Sequence, residues 1–116
     1  MGNVGTDAAP LMLVQEIRRG SVVLACLSLL RHPHYGYALL TILSEAGIEV
    51  DGNTLYPLLR RLERQGLLTS AWNTDGVRPR KFYVISAAGD ETLAQLAAEW
   101  TRLNAAVQGI LQGRTP

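Results

Sequence analysis

Apolar residues recur along this chain at helical spacing in four stretches, with a short β-like interval between the third and the fourth. The third stretch, from Asp51 to Leu68, is the sharpest. At 100° per residue, Leu55, Leu58, Leu59 and Leu62 fall on one stripe. Arg60 and Arg64 fall opposite, with Tyr56 and Arg61 on the flanks. Asp51 or Asn53 can cap the start, because a short side-chain oxygen accepts from a free first-turn N–H. Gly66 suits a left-handed stop. Pro57 leaves the carbonyl of Asn53 without its usual donor, so a mild kink is expected. The pattern predicts a helix pinned by leucines that offers fixed cations outward. A charged outer face alone is also what any solvated surface helix has.

Upstream, Leu13, Ile17, Leu24, Leu27 and Leu30 recur helically between Leu11 and Arg31, with Val23 and Cys26 beside them. Gly20 weakens the run and Ser21 can cap a new segment, so one helix or two are compatible with it. Arg31-His32-Pro33-His34 ends it, since the residue before a proline avoids the helical region. A second helix is expected from about Tyr35 to Ala46, with Tyr37, Leu40 and Leu43 or Ser44 on one side, Leu39 and Ile42 near it, and Gly47 as its stop. Ile48-Glu49-Val50 reads as a connector or a minimal strand.

Downstream, Leu67 to Trp72 and Lys81 to Ile85 are β-friendly runs around the turn-rich loop Asn73 to Arg80. They predict a hairpin with a basic tip. Ser86 then caps a long helix to about Gln112, with Gly89 near its start at some cost in stability. In it Leu93, Leu96, Trp100, Leu103, Val107 and Ile110 step by 3, 4, 3, 4 and 3 residues. That narrow seam is what a coiled-coil-like partner requires. Ala94, Ala97, Ala98, Ala105 and Ala106 would let another backbone approach closely. The plainer alternative is a helix buried on its own domain.

Composition narrows the function classes. The 116 residues fit one domain, and 47% hydrophobic content supports a small core that would gain from dimerising. Net charge is only +1. Its distribution says more. Between Thr54 and Lys81, six cations (Arg60, Arg61, Arg64, Arg78, Arg80, Lys81) stand against Glu63 and Asp75, a net +4 that leaves −3 for the rest. Such a localised basic segment is an electrostatic footprint for a polyanion. Cys26 is the only cysteine, so it can form neither an intramolecular disulfide nor a cysteine zinc cage, which suits a reducing cytoplasm. On its apolar stripe it reads as an inert buried thiol. Met1 to Pro10 lacks the pattern of a signal peptide, and Val22 to Leu30 is too short to span a bilayer. His32 and His34 lack a third ligand at useful spacing, so no metal is expected. No nucleophile with its base, paired carboxylates or phosphate-cradling glycine loop is present, so no enzyme and no cofactor are expected.

The order is helix, helix, basic helix, hairpin with basic tip, long seamed helix. This predicts a mainly α fold with a small β-hairpin: a winged helix-turn-helix over residues 11–85, a dimerisation helix and short tail over 86–116, and a disordered tail over 1–10. In a winged helix the third helix lies in the major groove and the hairpin tip reaches adjacent phosphates or the minor groove.

The residues resemble the PadR-like family of bacterial transcriptional regulators. Thr54-Leu55-Tyr56-Pro57-Leu58-Leu59-Arg60-Arg61-Leu62-Glu63-Arg64-Gln65-Gly66-Leu67-Leu68 is a very close match to its recognition-helix signature. Arg78-Pro79-Arg80-Lys81-Phe82-Tyr83-Val84-Ile85-Ser86-Ala87-Ala88-Gly89 is similar to its wing and the entry to its last helix. His34-Tyr35-Gly36-Tyr37 looks like its His-Gly-Tyr start of the second helix, with Tyr35 inserted, and Glu99-Trp100-Thr101-Arg102-Leu103 resembles the last helix of its short members. The resemblance spans about Ile17 to Leu111. It implies a homodimeric repressor on an inverted repeat of double-stranded DNA. DNA contacts would come from Thr54, Tyr56, Arg60, Arg61, Arg78, Arg80 and Lys81, with Arg64 added by its place on the basic face. Some short members bind flat aromatic compounds at the dimer centre, which makes Trp100 a candidate surface for a planar aromatic or phenolic effector. Simple interface packing explains Trp100 equally well. A non-catalytic protein-interaction module, or a ligand-binding dimer with little DNA binding, is the alternative function class.

Overall fold

A computed structural model describes residues 10–114. Of the tail expected over 1–10, only Pro10 falls within them. The elements are α1 (Leu11–Leu29), β1 (His34–Tyr35), α2 (Gly36–Glu45), α3 (Gly52–Arg64), β2 (Leu68–Asn73), β3 (Arg80–Ile85) and α4 (Ala87–Leu111). Three helices and a hairpin make the winged-helix body, and α4 follows. Among the described residues no helix is long and apolar enough to cross a membrane.

The core draws from every element except β1. It joins Val22, Cys26, Leu27 and Leu30 to Leu39 and Leu43 of α2, then to Leu55, Leu58, Leu59 and Leu62 of α3. Leu68, Tyr83 and Leu93 complete it. Burial pushes the Cys26 thiol up to about 12, so at neutral pH it is a protonated, apolar filler.

α1 is one helix that runs through Gly20. Its predicted stripe splits, however. Leu27 and Leu30 are buried, but Leu13 and Ile17 are exposed, as are Leu11 and Met12. The first turns of α1 therefore carry apolar side chains that the described residues leave uncovered. On α2 the buried positions are Gly36, Leu39 and Leu43, one residue round from the expected side, and Tyr37 points outward. Ile48 to Val50 forms no strand. Its two β-branched side chains pack against the core instead.

α3 starts and stops as its sequence predicts. The Asp51 carboxylate accepts from the Thr54 N–H at 3.0 Å. Gly66, at φ +80°, lets the Leu67 N–H reach the Leu62 carbonyl and its own N–H reach the Glu63 carbonyl, both at 2.9 Å. The helix runs unbroken through Pro57.

The sheet has three strands in the order β1-β3-β2, all antiparallel neighbours. Leu68 pairs with Ile85 and Asn73 with Arg80, so each strand of the hairpin reaches a residue further toward the tip than expected. The unexpected strand is β1, which pairs His34 with Tyr83 and Tyr35 with Phe82. It takes the free edge of β3 and ties the α1–α2 connection to the wing.

The junction into α4 depends on one glycine. Ser86 Oγ donates to the Gly66 carbonyl at 2.6 Å and accepts from the Gly89 N–H at 3.0 Å. A Cβ on Gly89 would run into the carbonyl oxygen of Leu67 and into Ile85. The stability cost expected of this glycine is thus the condition for seating α4 on the end of α3. Gly20 is the reverse case, since a Cβ added there would meet nothing within 4 Å. Gly20→Ala is expected to raise stability by about 0.5–1 kcal/mol, the helix-propensity gain. Gly89→Ala is expected to lower it by roughly 1–3 kcal/mol through overpacking. Urea melts of the two variants check both signs.

Candidate nucleic-acid interface

Burial of Leu55, Leu58, Leu59 and Leu62 fixes the rotation of α3 about its axis. Arg60, Arg61 and Arg64 are exposed as a result, and so is Thr54 in the first turn. Tyr56 is half-buried on the flank facing α2. A Cβ on either Gly36 or Gly52 would come 2.9 Å from its ring, so these two glycines make the slot that holds it.

The wing is fastened to α3 through Glu63. That carboxylate accepts from Ser70 Oγ of β2 at 2.6 Å and pairs with Lys81 Nζ of β3 at 3.4 Å. The Ser70 hydroxyl, with Lys81 adding its charge, holds the Glu63 carboxyl below the usual carboxylate range. Lys81 Nζ also lies 5.3 Å from the Tyr83 ring centre and 6.0 Å from that of Trp72. Its charge is balanced inside the protein, so the unbalanced positive charge of the wing comes from Arg78 and Arg80.

Arg80 is held by aromatic residues. Its guanidinium carbon sits 4.4 Å from the centre of the Tyr35 ring, and its Nη1 donates to the Tyr37 hydroxyl at 3.2 Å. The two tyrosine rings are stacked, 5.9 Å apart and 8° from parallel. Asn73 of β2 donates to the Tyr35 hydroxyl at 2.6 Å. The sequence marks this arrangement only as two tyrosines flanking a glycine, so periodicity and charge do not single out Tyr35, Tyr37 or Asn73 as site residues.

On the other flank of α3, Arg61 and Thr54 line a groove of about 570 Å³ with Arg18 and Arg19 of α1. Glu49 and Asp51 line it too. Among the described residues no ion pair engages these three arginines. The predicted DNA-contacting residues thus occupy two connected elements, α3 and the wing, with two further cations beside Arg61 that periodicity did not single out.

The PadR-like family model for transcriptional regulators matches residues 23–95. The chain belongs to the PadR-like family. It is 47% identical to a PadR family transcriptional regulator from Eggerthella lenta, with a TM-score of 0.82 over 86% of this chain and 89% of that one. It is 36% identical to a PadR-like transcription factor from Bacteroides fragilis, with a TM-score of 0.69 over 84% and 97%. A PadR-like transcriptional regulator from Bacillus cereus is 27% identical, with a TM-score of 0.73 over 84% and 97%. No curated protein sequence matches.

Membership makes this PadR-like protein a DNA-binding transcriptional regulator on a winged-helix fold. The α3–wing connection holds the predicted DNA-contacting residues of both elements in one relative position. Glu63 is central to that connection. Its lowered pKa means that it stabilises the fold above the ordinary carboxylate pKa, and that this contribution disappears as pH falls through its depressed value. Glu63→Gln is therefore expected to be less stable than wild type at neutral pH. The gap should close in acid, which thermal melts of the pair across pH would register.

Proposed function

We propose that this PadR-like protein is a homodimeric repressor that reads an inverted repeat. The observation that carries the reading is that the arginines of α3 and Arg80 of the wing stand on elements tied to each other through Glu63. Cations in that fixed relation suit a single duplex. Arg60 or Arg61 is the candidate for a guanine edge, because the planar guanidinium matches its two acceptors. Thr54, Tyr56, Arg64, Arg78 and Arg80 are proposed phosphate or groove contacts, and Lys81 a contact that also braces the wing. Two such helices related by a twofold axis would match half-site centres roughly 34 Å apart, or a multiple of it.

The dimer reading rests on α4. Leu93 is only 3% exposed and belongs to the core of its own domain. The seam left for a partner is Leu96, Trp100, Leu103, Val107 and Ile110, between 37% and 62% exposed. Leu11, Met12, Leu13 and Ile17 of α1 add uncovered apolar surface. Large exposed apolar tracts of this kind are unusual on a monomer. In gel shifts on DNA from its own promoter region, Arg60→Ala with Arg61→Ala is expected to lose binding. Sedimentation of the same variant is expected to give an unchanged dimer. An unchanged shift removes the recognition-helix assignment, and a monomeric wild type removes the dimer.

Trp100 is 48% exposed on the seam. A planar aromatic or phenolic effector stacked there would act on the angle between the protomers, and release of DNA by such a ligand is the mode of regulation proposed. Trp72 is also exposed, so Trp72→Phe is the background for the test. Planar cationic dyes are expected to quench the remaining Trp100 fluorescence saturably. A signal unchanged by the dyes assigns Trp100 to packing alone.

A further inference from the structure

Between the start of α2, the flank of α3 and the loop end of β3 lies a hollow of about 310 Å³. Gly36, Tyr37, Tyr56, Arg80, Lys81 and Tyr83 line it. Among the described residues no carboxylate lines it; Lys81 is balanced by Glu63, so Arg80 is its one unbalanced cation, with tyrosines around it. We infer that this hollow seats one phosphate of the DNA backbone, with Tyr37 as a contact to it and Tyr35 and Asn73 as positioning residues for Arg80. The inference rests on the operator-binding reading above and adds residues to it.

The donors are already arranged. The Tyr37 hydroxyl accepts from Arg80, so its own proton is free to be donated. Arg80 uses one N–H on Tyr37 and keeps its others for an oxyanion. The Tyr56 ring is fixed by Gly36 and Gly52, and Tyr56 lines the hollow from the α3 side. A guanidinium lying over Tyr35, which Asn73 in turn holds, gives up little rotamer freedom when it meets its ligand. This is a preorganised oxyanion site rather than a loose surface cation. Its place between a groove-entering helix and the wing selects a phosphodiester of the duplex over a free anion. A contact of this kind positions the protein on DNA without reading sequence.

The test uses the promoter duplex that the wild type shifts. Tyr37→Phe keeps the ring and its stack on Tyr35 but removes the hydroxyl. Affinity is expected to fall roughly three- to tenfold per protomer, the size of one hydrogen bond each, with the salt dependence unchanged because no charge is lost. Arg80→Ala is expected to weaken binding and to reduce the salt slope by about one phosphate per protomer. Neutral methylphosphonates placed one at a time along the duplex are expected to reveal a position that weakens wild type but adds nothing to Arg80→Ala. That position identifies the phosphate as one belonging to the duplex. Wild-type affinity for Tyr37→Phe, or no methylphosphonate position masked by Arg80→Ala, overturns the seat. Loss of binding by Arg60→Ala with Arg61→Ala in the same series would leave the operator reading standing when the seat fails.

Discussion

The leucine stripe of α3 is the constraint on which the rest depends. Four leucines in a 13-residue helix are each at most 8% exposed. Replacing any one of them by alanine would cost about 2–5 kcal/mol, so the helix has one rotational setting. Everything opposite the stripe must then face solvent, including Arg60 and Arg64. The arginines need no interaction of their own to hold their direction. A charged face aimed by apolar packing keeps its aim in any salt, even though the attraction it exerts on a polyanion weakens as salt rises.

The wing is placed by a different kind of chemistry. A two-stranded hairpin is marginal by itself, and this one buries little beyond Leu68 and Tyr83. It gains a third strand from β1 and a set of polar ties to β1, α2 and α3. Glu63 reaches both strands of the hairpin, Asn73 reaches Tyr35, and Arg80 reaches Tyr37. Several of these groups are partly exposed, and surface pairs are each worth little. Their combined effect is directional: they hold the wing's strands up to the start of the loop, while Thr74 to Pro79 stays outside the strands. Arg78 belongs to that loop and Arg80 to the strand, so of the two unbalanced wing cations Arg80 is the better fixed.

Much of this was legible in the sequence, and the exceptions share a cause. Helix α3, its Asp51 cap, its Gly66 stop, the hairpin and the Ser86 cap of α4 are all encoded within a few residues of where they act. Local signals of that kind survive folding. Strand β1 spans two residues and exists only because β3, far along the chain, offers an edge. Tyr37 shares a helical side with Leu40, so periodicity assigns it inward, yet α2 buries Leu39 and Leu43 and leaves Tyr37 outside, where a guanidinium from the wing meets it. The heptad step from Leu93 to Ile110 marks apolar residues without saying which partner covers them. Leu93 is taken by the chain's own core and the other five are not. Gly89 carries a propensity penalty on sequence grounds, and only its distance to Leu67 reveals what the penalty permits.

The same junction bears on how assembly and DNA reading would be linked in the proposed dimer. The radius of gyration, 17.3 Å, exceeds the roughly 13.4 Å expected of a compact domain of this length. The excess has a visible source in α4, which spans about 37 Å at the rise of an α-helix and is buried in this chain only near its start. That start is fixed to the end of α3. Ser86 bonds to the carbonyl of Gly66 and, through its N–H, to that of Leu67, and Gly89 lets the first turn of α4 sit against the same peptide. The two helices therefore meet at a packed joint rather than across a flexible linker. A change in how two α4 helices cross would then be carried to α3 as a rigid rotation. The residues of the seam and the arginines of the reading face share no positions. The direct route between them runs through Ser86, Gly89 and the turn at Gly66, where the start of one helix is bonded to the end of the other.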